Sequence, residues 1–253
     1  MTSTKKRDTM LTVSRLSYGA TAIRQPLQIP GKPTGGDGAT TMCVWTPTAR
    51  QLGDASTAAL KSAEAARSAT TCYMRGLSES VELNTNSGAS WEWRRICFRC
   101  KIPGVVVAYN DSTYGYARYW LQLTGSNSTG DTTQWQNSRD LVFKGIWNVD
   151  YDNLMTAAVD TRQVDLSYDK TMRIGSGNVN GVLLRQKRWH GMNKNLVYAD
   201  EEKGSSEGTS AFSVQDKQGM GDYHIMDLFK CQTQNAGDSI AVSSCTTLYW
   251  HEK

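Results

Sequence analysis

The chain has 253 residues, a formal net charge of +4 and 39% hydrophobic residues. A chain of this length buries most of the surface of its unfolded form, so it is expected to fold without disulfides or metals. It contains no run of about 20 apolar residues, and its first residues lack the apolar stretch of a secretory signal. We therefore expect no membrane-spanning helix and no secretory signal in this sequence.

Positive charge is concentrated in the first part of the chain. Residues 1–101 contain 14 Lys and Arg against 7 Asp and Glu, whereas residues 102–253 contain 14 against 17. A basic region attached to a near-neutral remainder is typical of a surface that meets an anionic partner, most commonly nucleic acid. A solvated basic face without any partner explains the same composition equally well.

The first 40 residues are predicted to form an extended, partly disordered N-terminal arm. They combine a basic triplet at 5–7 with polar residues and the glycine-rich stretch Gly31–Gly38, so they have few residues for a core. Residues 41–253 are predicted to form the folded domain. Within it, Thr41–Trp45 is a predicted first strand, and the alanine-rich segment Ala55–Ala66 is compatible with a short helix.

Alternation of apolar and polar residues dominates the rest of the chain. Between Gln163 and Ile174, apolar residues occupy every second position almost throughout, which is typical of a strand with one buried face. Alternation, or a short apolar run bounded by turn residues, predicts further strands at Leu77–Leu83, Trp91–Lys101, Val105–Tyr109, Tyr116–Leu123, Leu141–Ile146, Gly181–Trp189, Tyr223–Cys231 and Ile240–Trp250.

The predicted fold class is all-β. The strands are separated by clusters of Gly, Asn, Ser and Asp, and no long helical period interrupts them. Two packed antiparallel sheets satisfy this pattern, as a jelly roll or an immunoglobulin-like sandwich. The predicted loop Thr124–Asn137 is long for a small immunoglobulin-type domain, which favours the jelly roll. We expect a single eight-stranded jelly-roll β-sandwich with long inter-strand loops and a basic N-terminal arm.

Residues that would support catalysis or metal binding are scattered. The histidines His190, His224 and His251 lie in different segments, and none has a partner at metal-ligand spacing. Cys97 and Cys100 form a single C-x-x-C pair, but residues three apart on a strand point to opposite faces. They are therefore expected to be free thiols and not part of a zinc site. We expect no enzymatic activity, no cofactor and no metal.

The segment Trp91–Lys101 combines aromatic and basic residues. As a strand, it has one side that carries indole rings and cations, at Trp91, Trp93, Arg95, Arg99 and Lys101. Proteins hold single-stranded nucleic acid with rings that stack on bases and cations that pair with phosphates. Burial of the tryptophans in the core, with the cations at the sheet edge or paired across an interface, is an equally good interpretation.

A set of sequence blocks, in one order over nearly the whole chain, carries a family resemblance. The blocks are Lys5–Leu11, Thr71–Glu79, Trp91–Phe98, Trp189–Tyr198, Gly219–Tyr223 and Leu248–Lys253. Together they resemble the capsid proteins of genomoviruses, small viruses with circular single-stranded DNA. Their number and order make the resemblance more specific than any single short motif.

The resemblance implies a jelly-roll subunit that assembles with itself into a T=1 icosahedral shell of sixty copies around viral single-stranded DNA. It implies no enzyme, a place in the virion and, during assembly, in the host nucleus, with a host receptor or nuclear import factors as further candidate partners. Family members usually carry an arginine-rich arm ahead of the block Lys5–Leu11, and here four residues precede it. The residues expected to contact DNA are Lys5, Lys6, Arg7, Arg15, Trp91, Trp93, Arg94, Arg95, Arg99 and Lys101.

A second interpretation stays open. A jelly-roll carbohydrate-binding or host-attachment protein also exposes Trp and Tyr, which stack on sugars. Such a protein would be a monomer or small oligomer and would need no nucleic acid. A nuclease or a replication initiator would require a metal-binding His/Asp cluster or a phosphate loop, and the sequence contains neither motif.

Overall fold

The computed structural model describes residues 3–16, 20–34, 39–53, 65–101, 110–111, 114–125, 129–203 and 206–252. The helix α1 spans Thr129–Val142. The strands are β1 Thr4–Met10, β2 Thr12–Arg15, β3 Leu27–Pro30, β4 Thr40–Trp45, β5 Thr71–Thr85, β6 Trp91–Cys100, β7 Asn110–Asp111, β8 Gly115–Tyr116, β9 Arg118–Leu121, β10 Asp165–Ile174, β11 Leu183–Val197, β12 Glu201–Lys203, β13 Ser206–Gly208, β14 Asp222–Cys231 and β15 Ser239–Glu252.

Two antiparallel sheets contain the longer strands. Sheet 1 has the order β1-β15-β5-β11. β1 pairs with the C-terminal half of β15, and β3 pairs with the same edge of β15 at its N-terminal end. Sheet 2 has the order β10-β6-β14-β4. The remaining strands form two-stranded pairs, of which β2–β9 is parallel. The predicted all-β class is therefore confirmed.

The two sheets pack face to face on a shared apolar core. Sheet 1 contributes inward residues such as Leu77 and Leu248, and sheet 2 contributes Cys97 and Ile225, all of them fully buried. A second part of the same interior joins Val81 and Leu83 of β5 to the tryptophans and Phe229 of sheet 2. Period-two alternation places these residues on one side of each strand, which is why alternation in the sequence located the strands.

Sheet 2 is also covered on its other face. Ile96 and Phe98 of β6 pack there against α1 and the segment 143–164, represented by Trp135, Phe143 and Leu154. Because both faces of sheet 2 are buried, β14 is buried at nearly every position and not only at every second one. The molecule thus has three layers: sheet 1, sheet 2, and the layer formed by α1 with residues 143–164.

The helix α1 corrects two predictions. It occupies most of the predicted loop Thr124–Asn137, and its last residues fall in the predicted strand Leu141–Ile146. Its buried side combines the polar residues Gln134, Ser138 and Arg139 with Trp135 and Leu141. Because three of the buried positions are polar, the helical period is hidden in the sequence, and the short apolar run at the end of the helix predicts a strand instead.

Most other strand predictions are confirmed, with ends that agree within two residues except at two places: β5 begins six residues before the predicted strand Leu77–Leu83, and β11 ends eight residues after the predicted strand Gly181–Trp189. The predicted strand Tyr116–Leu123 is in fact divided, since β8 ends at Tyr116 and β9 begins at Arg118. The predicted strand Val105–Tyr109 and nearly all of the predicted helix Ala55–Ala66 lie outside the described residues.

The segment predicted as an N-terminal arm contributes to the sandwich. β1 pairs with β15 over its full length, β3 pairs with β15, and β2 pairs with β9. Lys6 and Asp8 point inward, where Lys6 Nζ lies 3.0 Å from Glu252 Oε2 and Asp8 Oδ2 lies 2.6 Å from Arg50 Nη1. Of the inward positions of β1, Lys6 and Asp8 are charged and only Met10 is apolar, so the sequence does not show the apolar alternation of a strand.

Four buried charges lie between the sheets and are called the ion cluster: Glu79 of β5, Arg95 of β6, Arg118 of β9 and Asp227 of β14. All four side chains are fully buried. Asp227 accepts from Arg95 Nε at 2.6 Å and from Arg118 Nη2 at 2.8 Å, and Glu79 pairs with Arg95. Burial alone raises the pKa of Glu79, but the charge of Arg95, with further help from His190 and Arg118, outweighs it and holds that pKa below its usual value.

All six cysteines are free thiols. Cys97 faces the core between the sheets and Cys100 faces the α1 layer, so the prediction that they point to opposite faces is confirmed. Burial raises the pKa of Cys97 to about 12, so it remains a thiol.

Within the described ranges, no three His, Cys, Asp or Glu residues are arranged to hold a metal ion. No helix in those ranges is long and apolar enough to cross a membrane.

Removal of one charge from the ion cluster should strongly destabilise the fold. We expect Glu79→Gln to lower the free energy of unfolding by about 3 to 5 kcal/mol, because it leaves an uncompensated buried arginine. Chemical denaturation measures the change. Glu82→Gln is the matched control, since Glu82 lies on the same strand in an exposed pair with Arg185 and should cost under about 1 kcal/mol. Equal costs for the two variants would contradict a structural role for the ion cluster.

A buried histidine should make the fold acid-sensitive. His224 stacks on Phe98, its Nδ1 lies 2.8 Å from Thr46 Oγ1, and burial lowers its pKa to about 3. The unfolded chain takes up a proton at this residue below about pH 6.5, and the folded chain does not, so stability falls as the pH falls. Between pH 6.5 and 4.5 the wild type should lose about 2 to 3 kcal/mol more than His224→Asn.

A buried carboxylate, Asp222, has the opposite effect on the pH dependence of stability. Burial raises the pKa of Asp222 to about 6, so its contribution to stability is lost as the pH rises through that value. Asp222→Asn should therefore steepen the rise of stability between about pH 4 and 6, whereas His224→Asn flattens it. Urea denaturation across this pH range measures both slopes, and the same slope in all three proteins would refute the assignment.

Candidate nucleic-acid interface

The outer face of sheet 1 carries a concentration of cations and aromatic rings and is called the basic face. Alternation along β1, β15, β5 and β11 turns these side chains away from the core. Among the described residues of these strands, Glu82 is the one carboxylate on this side. The basic face consists of Lys5, Arg7, Tyr73, Arg75, Arg185, Lys187, Trp189, Tyr249 and His251.

Trp189 forms the centre of the basic face. Its side chain is 54% exposed, and its ring lies 5.8 Å from the ring of Tyr249 at 51°. The indole lies across Gly76, where an added Cβ would come within 2.6 Å of its Cζ2 atom. The absence of a side chain at Gly76 therefore lets the indole lie along the sheet, where it offers a flat surface for stacking.

The cations around Trp189 keep most of their charge available. None of the ion pairs between described residues involves Lys5, Arg7 or Lys187. Arg185 Nε lies 2.6 Å from Glu82 Oε2, but both side chains are exposed, and such pairs hold each other weakly. The basic face therefore presents an excess of positive charge next to exposed rings.

Of the ten residues predicted to contact DNA, Lys5 and Arg7 lie on the basic face. Lys6, between them, points inward and pairs with Glu252. Lys5 is opposite His251 and Arg7 is opposite Tyr249 on the neighbouring strand, so both cations border the aromatic residues. The basic triplet thus contributes two cations to the surface and one to the interior.

Four of the predicted residues lie inside the protein. Trp91 and Trp93 belong to the core, and Trp93 Nε1 donates to Asp227 at 2.8 Å. Arg95 belongs to the ion cluster, and Arg94 donates to Asp169 and to two backbone carbonyls of the α1 layer. The tryptophans of Trp91–Lys101 are thus core residues, as the alternative interpretation had it, whereas Arg94 and Arg95 are paired inside the chain and not at the sheet edge or across an interface.

The remaining three predicted residues lie away from the basic face. Arg99 Nη2 is 2.6 Å from Asp165 Oδ2. Lys101 Nζ donates to the carbonyls of Asp216 and Gln218 at 2.5 and 2.6 Å. Arg15, on β2, lies over the ring of Tyr119 at 5.5 Å from its centroid. These cations are engaged by the protein itself.

Sequence reasoning missed most of the aromatic part of the basic face. Arg185, Lys187 and Trp189 share one parity of β11, so alternation within the predicted strand Gly181–Trp189 was a usable indication. Tyr73 and Tyr249 belong to other strands, and only the pairing of β5 and β15 brings them next to β11.

Comparison with known proteins does not supply a family. No protein-family model matches the chain, and no curated protein sequence matches it. The function must therefore be inferred from the chain's own residues. Clustered cations beside exposed rings can bind a flexible polyanion whose planar groups stack, as single-stranded nucleic acid does.

Trp189 should dominate the accessible tryptophan fluorescence. It is the one strongly exposed tryptophan, because six of the other seven are buried and Trp147 is half-buried. We expect Trp189→Phe to remove most of the emission that iodide quenches, and Trp91→Phe to leave that emission unchanged. Steady-state quenching measures the difference. Equal iodide quenching in Trp189→Phe and wild type would show that the indole is covered.

Proposed function

We propose that this chain is a structural capsid protein that assembles with itself into a T=1 icosahedral shell of sixty copies and encapsidates circular single-stranded DNA. The observation that carries the proposal is the basic face, with Trp189 and Tyr249 surrounded by cations. The genomovirus-like sequence blocks add support for the viral setting. The protein would then act in the virion and assemble in the host nucleus.

The fold proposed for the subunit is a single eight-stranded jelly roll. We count the edge strands β1 and β3 together as the first strand, followed in chain order by β4, β5, β6, β10, β11, β14 and β15. In these numbers sheet 1 has the order 1-8-3-6 and sheet 2 has the order 5-4-7-2. Strands that alternate between two sheets in this way, as two Greek keys, support a jelly roll, a fold used by viral capsid and lectin domains.

Binding of single-stranded DNA is supported by the chemistry of the basic face. Lys5, Arg7 and Lys187 supply charges that displace the counterions of a phosphate backbone, an interaction that does not depend on base sequence. The exposed ring of Trp189 supplies a stacking surface that every base can use. Packaging of a whole genome requires this kind of binding, because the subunit must accept any sequence.

Contacts between copies are supported by apolar side chains on exposed turns. Ile146 and Val149 are 66% and 77% exposed, and Val179 is 89% exposed. The turn that carries Ile146 is held by a hydrogen bond from its backbone N–H to Asp150 Oδ2 at 2.7 Å. Ile146 and Val149 share this turn, where the Val149 N–H donates to the Ile146 carbonyl at 3.1 Å, and adjoining exposed apolar side chains are the kind that an interface between copies buries.

Electron microscopy of the purified protein tests the proposal. We expect uniform icosahedral particles in negative stain and, after nuclease treatment, protected single-stranded DNA inside them. A carbohydrate-binding or attachment protein would instead give monomers or small oligomers with no protected nucleic acid. That second result, at protein concentrations and salt conditions varied over a wide range, would overturn the capsid proposal.

Substitution of cations on the basic face should lower the affinity for DNA and should make that affinity less dependent on salt. We expect Lys5/Arg7/Lys187→Gln to lower the slope of log affinity against log salt by about 2, at about 0.7 for each lost phosphate contact. Fluorescence anisotropy of unassembled subunits with a labelled oligothymidylate measures the slope.

The matched control removes the same charge from the other side of the molecule. Lys144, Arg162 and Arg173 are exposed in the α1 layer and on the outer side of sheet 2. Their triple substitution by Gln should leave most of the salt dependence in place. If both triple variants lose the same slope, net charge and not the basic face controls binding.

A further inference from the structure

A depression at one corner of the basic face has the lining of a small binding site. It has a volume of about 260 Å³ and is lined by Ser3, Thr71, Tyr73, Asn195 and His251. A second depression, of about 480 Å³, shares Tyr73 and Asn195 with the first and is also lined by Asp165 and Lys194. Tyr73 thus lines both depressions.

The strand register places the lining residues in one row. Lys5 of β1 is opposite His251 of β15, His251 is opposite Tyr73 of β5, and Tyr73 is opposite Asn195 of β11. Neighbouring strands are about 4.8 Å apart, so the row of cation, two rings and amide spans about 14 Å. The sheet therefore fixes the order of these groups with its backbone hydrogen bonds.

The two rings of the row leave stacking surface free. Tyr73 is 37% exposed, and its ring lies 6.0 Å from the ring of His251 at an angle of 47°. The rings are tilted and not stacked on each other, so a planar ligand can lie against Tyr73. In the described part of the chain, the side chains of Tyr73, Asn195 and His251 make no hydrogen bonds that would occupy them.

We propose that this corner holds one unpaired nucleobase, stacked on Tyr73 with its edge facing Asn195. An amide has both donors and an acceptor, which match the mixed edge of a base. A volume of about 260 Å³ lies below the range of roughly 300–1,000 Å³ for drug-sized ligands, so it suits a single planar group. A base in a duplex is paired and stacked, and only an unpaired base can enter.

The surrounding charges favour a nucleotide over a neutral sugar. Lys5 lies at the β1 end of the row. The neighbouring depression is lined by Lys194 and by Asp165, and the Asp165 carboxylate is paired with Arg99 at 2.6 Å. A phosphate backbone held by Lys5 would place its base over Tyr73. The site rests on the proposed binding of single-stranded DNA, and it adds a specific contact to a base where the rest of the basic face contacts mainly the backbone.

The experiment compares two ligands of equal charge. One is a labelled oligothymidylate of about 20 nucleotides, and the other is an abasic deoxyribose-phosphate strand of the same length. Fluorescence anisotropy gives the affinity of unassembled subunits for each. We expect the wild type to prefer the strand with bases, and Tyr73→Leu to weaken binding of that strand roughly fivefold or more while its affinity for the abasic strand is unchanged.

Two control variants make the result specific. Tyr114 is 36% exposed, close to the 37% of Tyr73, but lies in the β7–β8 turn, so Tyr114→Leu should leave both affinities as in the wild type. Tyr73→Phe keeps the ring and should bind both strands within about twofold of the wild type. Unchanged binding of the abasic strand also shows that Tyr73→Leu is folded.

The outcomes separate this inference from the proposed function. If Tyr73→Leu weakens both strands equally, or weakens neither, the base site is refuted while DNA binding by the basic face stands. If the wild type binds neither strand more tightly than the triple variant Lys5/Arg7/Lys187→Gln does, the proposed function fails and the base site fails with it.

Discussion

The ion cluster sets the arrangement on which the rest of the structure depends. Apolar side chains tolerate sliding of one sheet over another, but a buried charge is stable only beside its partner. Glu79 comes from sheet 1, Arg95 and Asp227 come from sheet 2, and Arg118 comes from β9. With two positive and two negative charges, the cluster is satisfied in one relative position of the sheets, which fixes which residues of sheet 1 face outward.

The basic face is the other side of the same strands. On β11, His190 reaches Glu79 in the interior, and its neighbour Trp189 lies outside. On β5, the alternation changes phase at Gly76, so Tyr73 is exposed and Leu77 is buried although both positions are odd. Irregularities in the pairing of β15 and β11 with β5 occur at the same level. Such bulges re-aim side chains, and here they bring Tyr73 to the same side as Trp189.

Alternation in the sequence located the long strands β5, β10, β11 and β15 but did not decide which of their faces are exposed. β10 and β15 were predicted because one side of each is polar. For β6, alternation predicted correctly which residues share a side, but it did not predict that both sides are buried. Arg95 can be buried because Glu79 and Asp227, which are 16 and 132 residues away in the chain, neutralise its charge. The change of phase at Gly76 likewise comes from strand pairing. Long-range pairing, which one sequence does not reveal, thus determined the candidate site.

The location of the charges explains how a modest net charge yields a strongly basic surface. The ion cluster is neutral, and the inward pairs Lys6–Glu252, Arg50–Asp8 and Arg67–Asp200 are each neutral as well. These pairs place carboxylates inside the protein and leave the cations of β1 and β11 uncompensated at the surface. A chain with a net charge of +4 can therefore present five cations and one carboxylate among the described residues on a single side of sheet 1. For a polyanion, this local density determines attraction more than the charge of the whole chain does, because salt screens charges beyond about 8 to 10 Å.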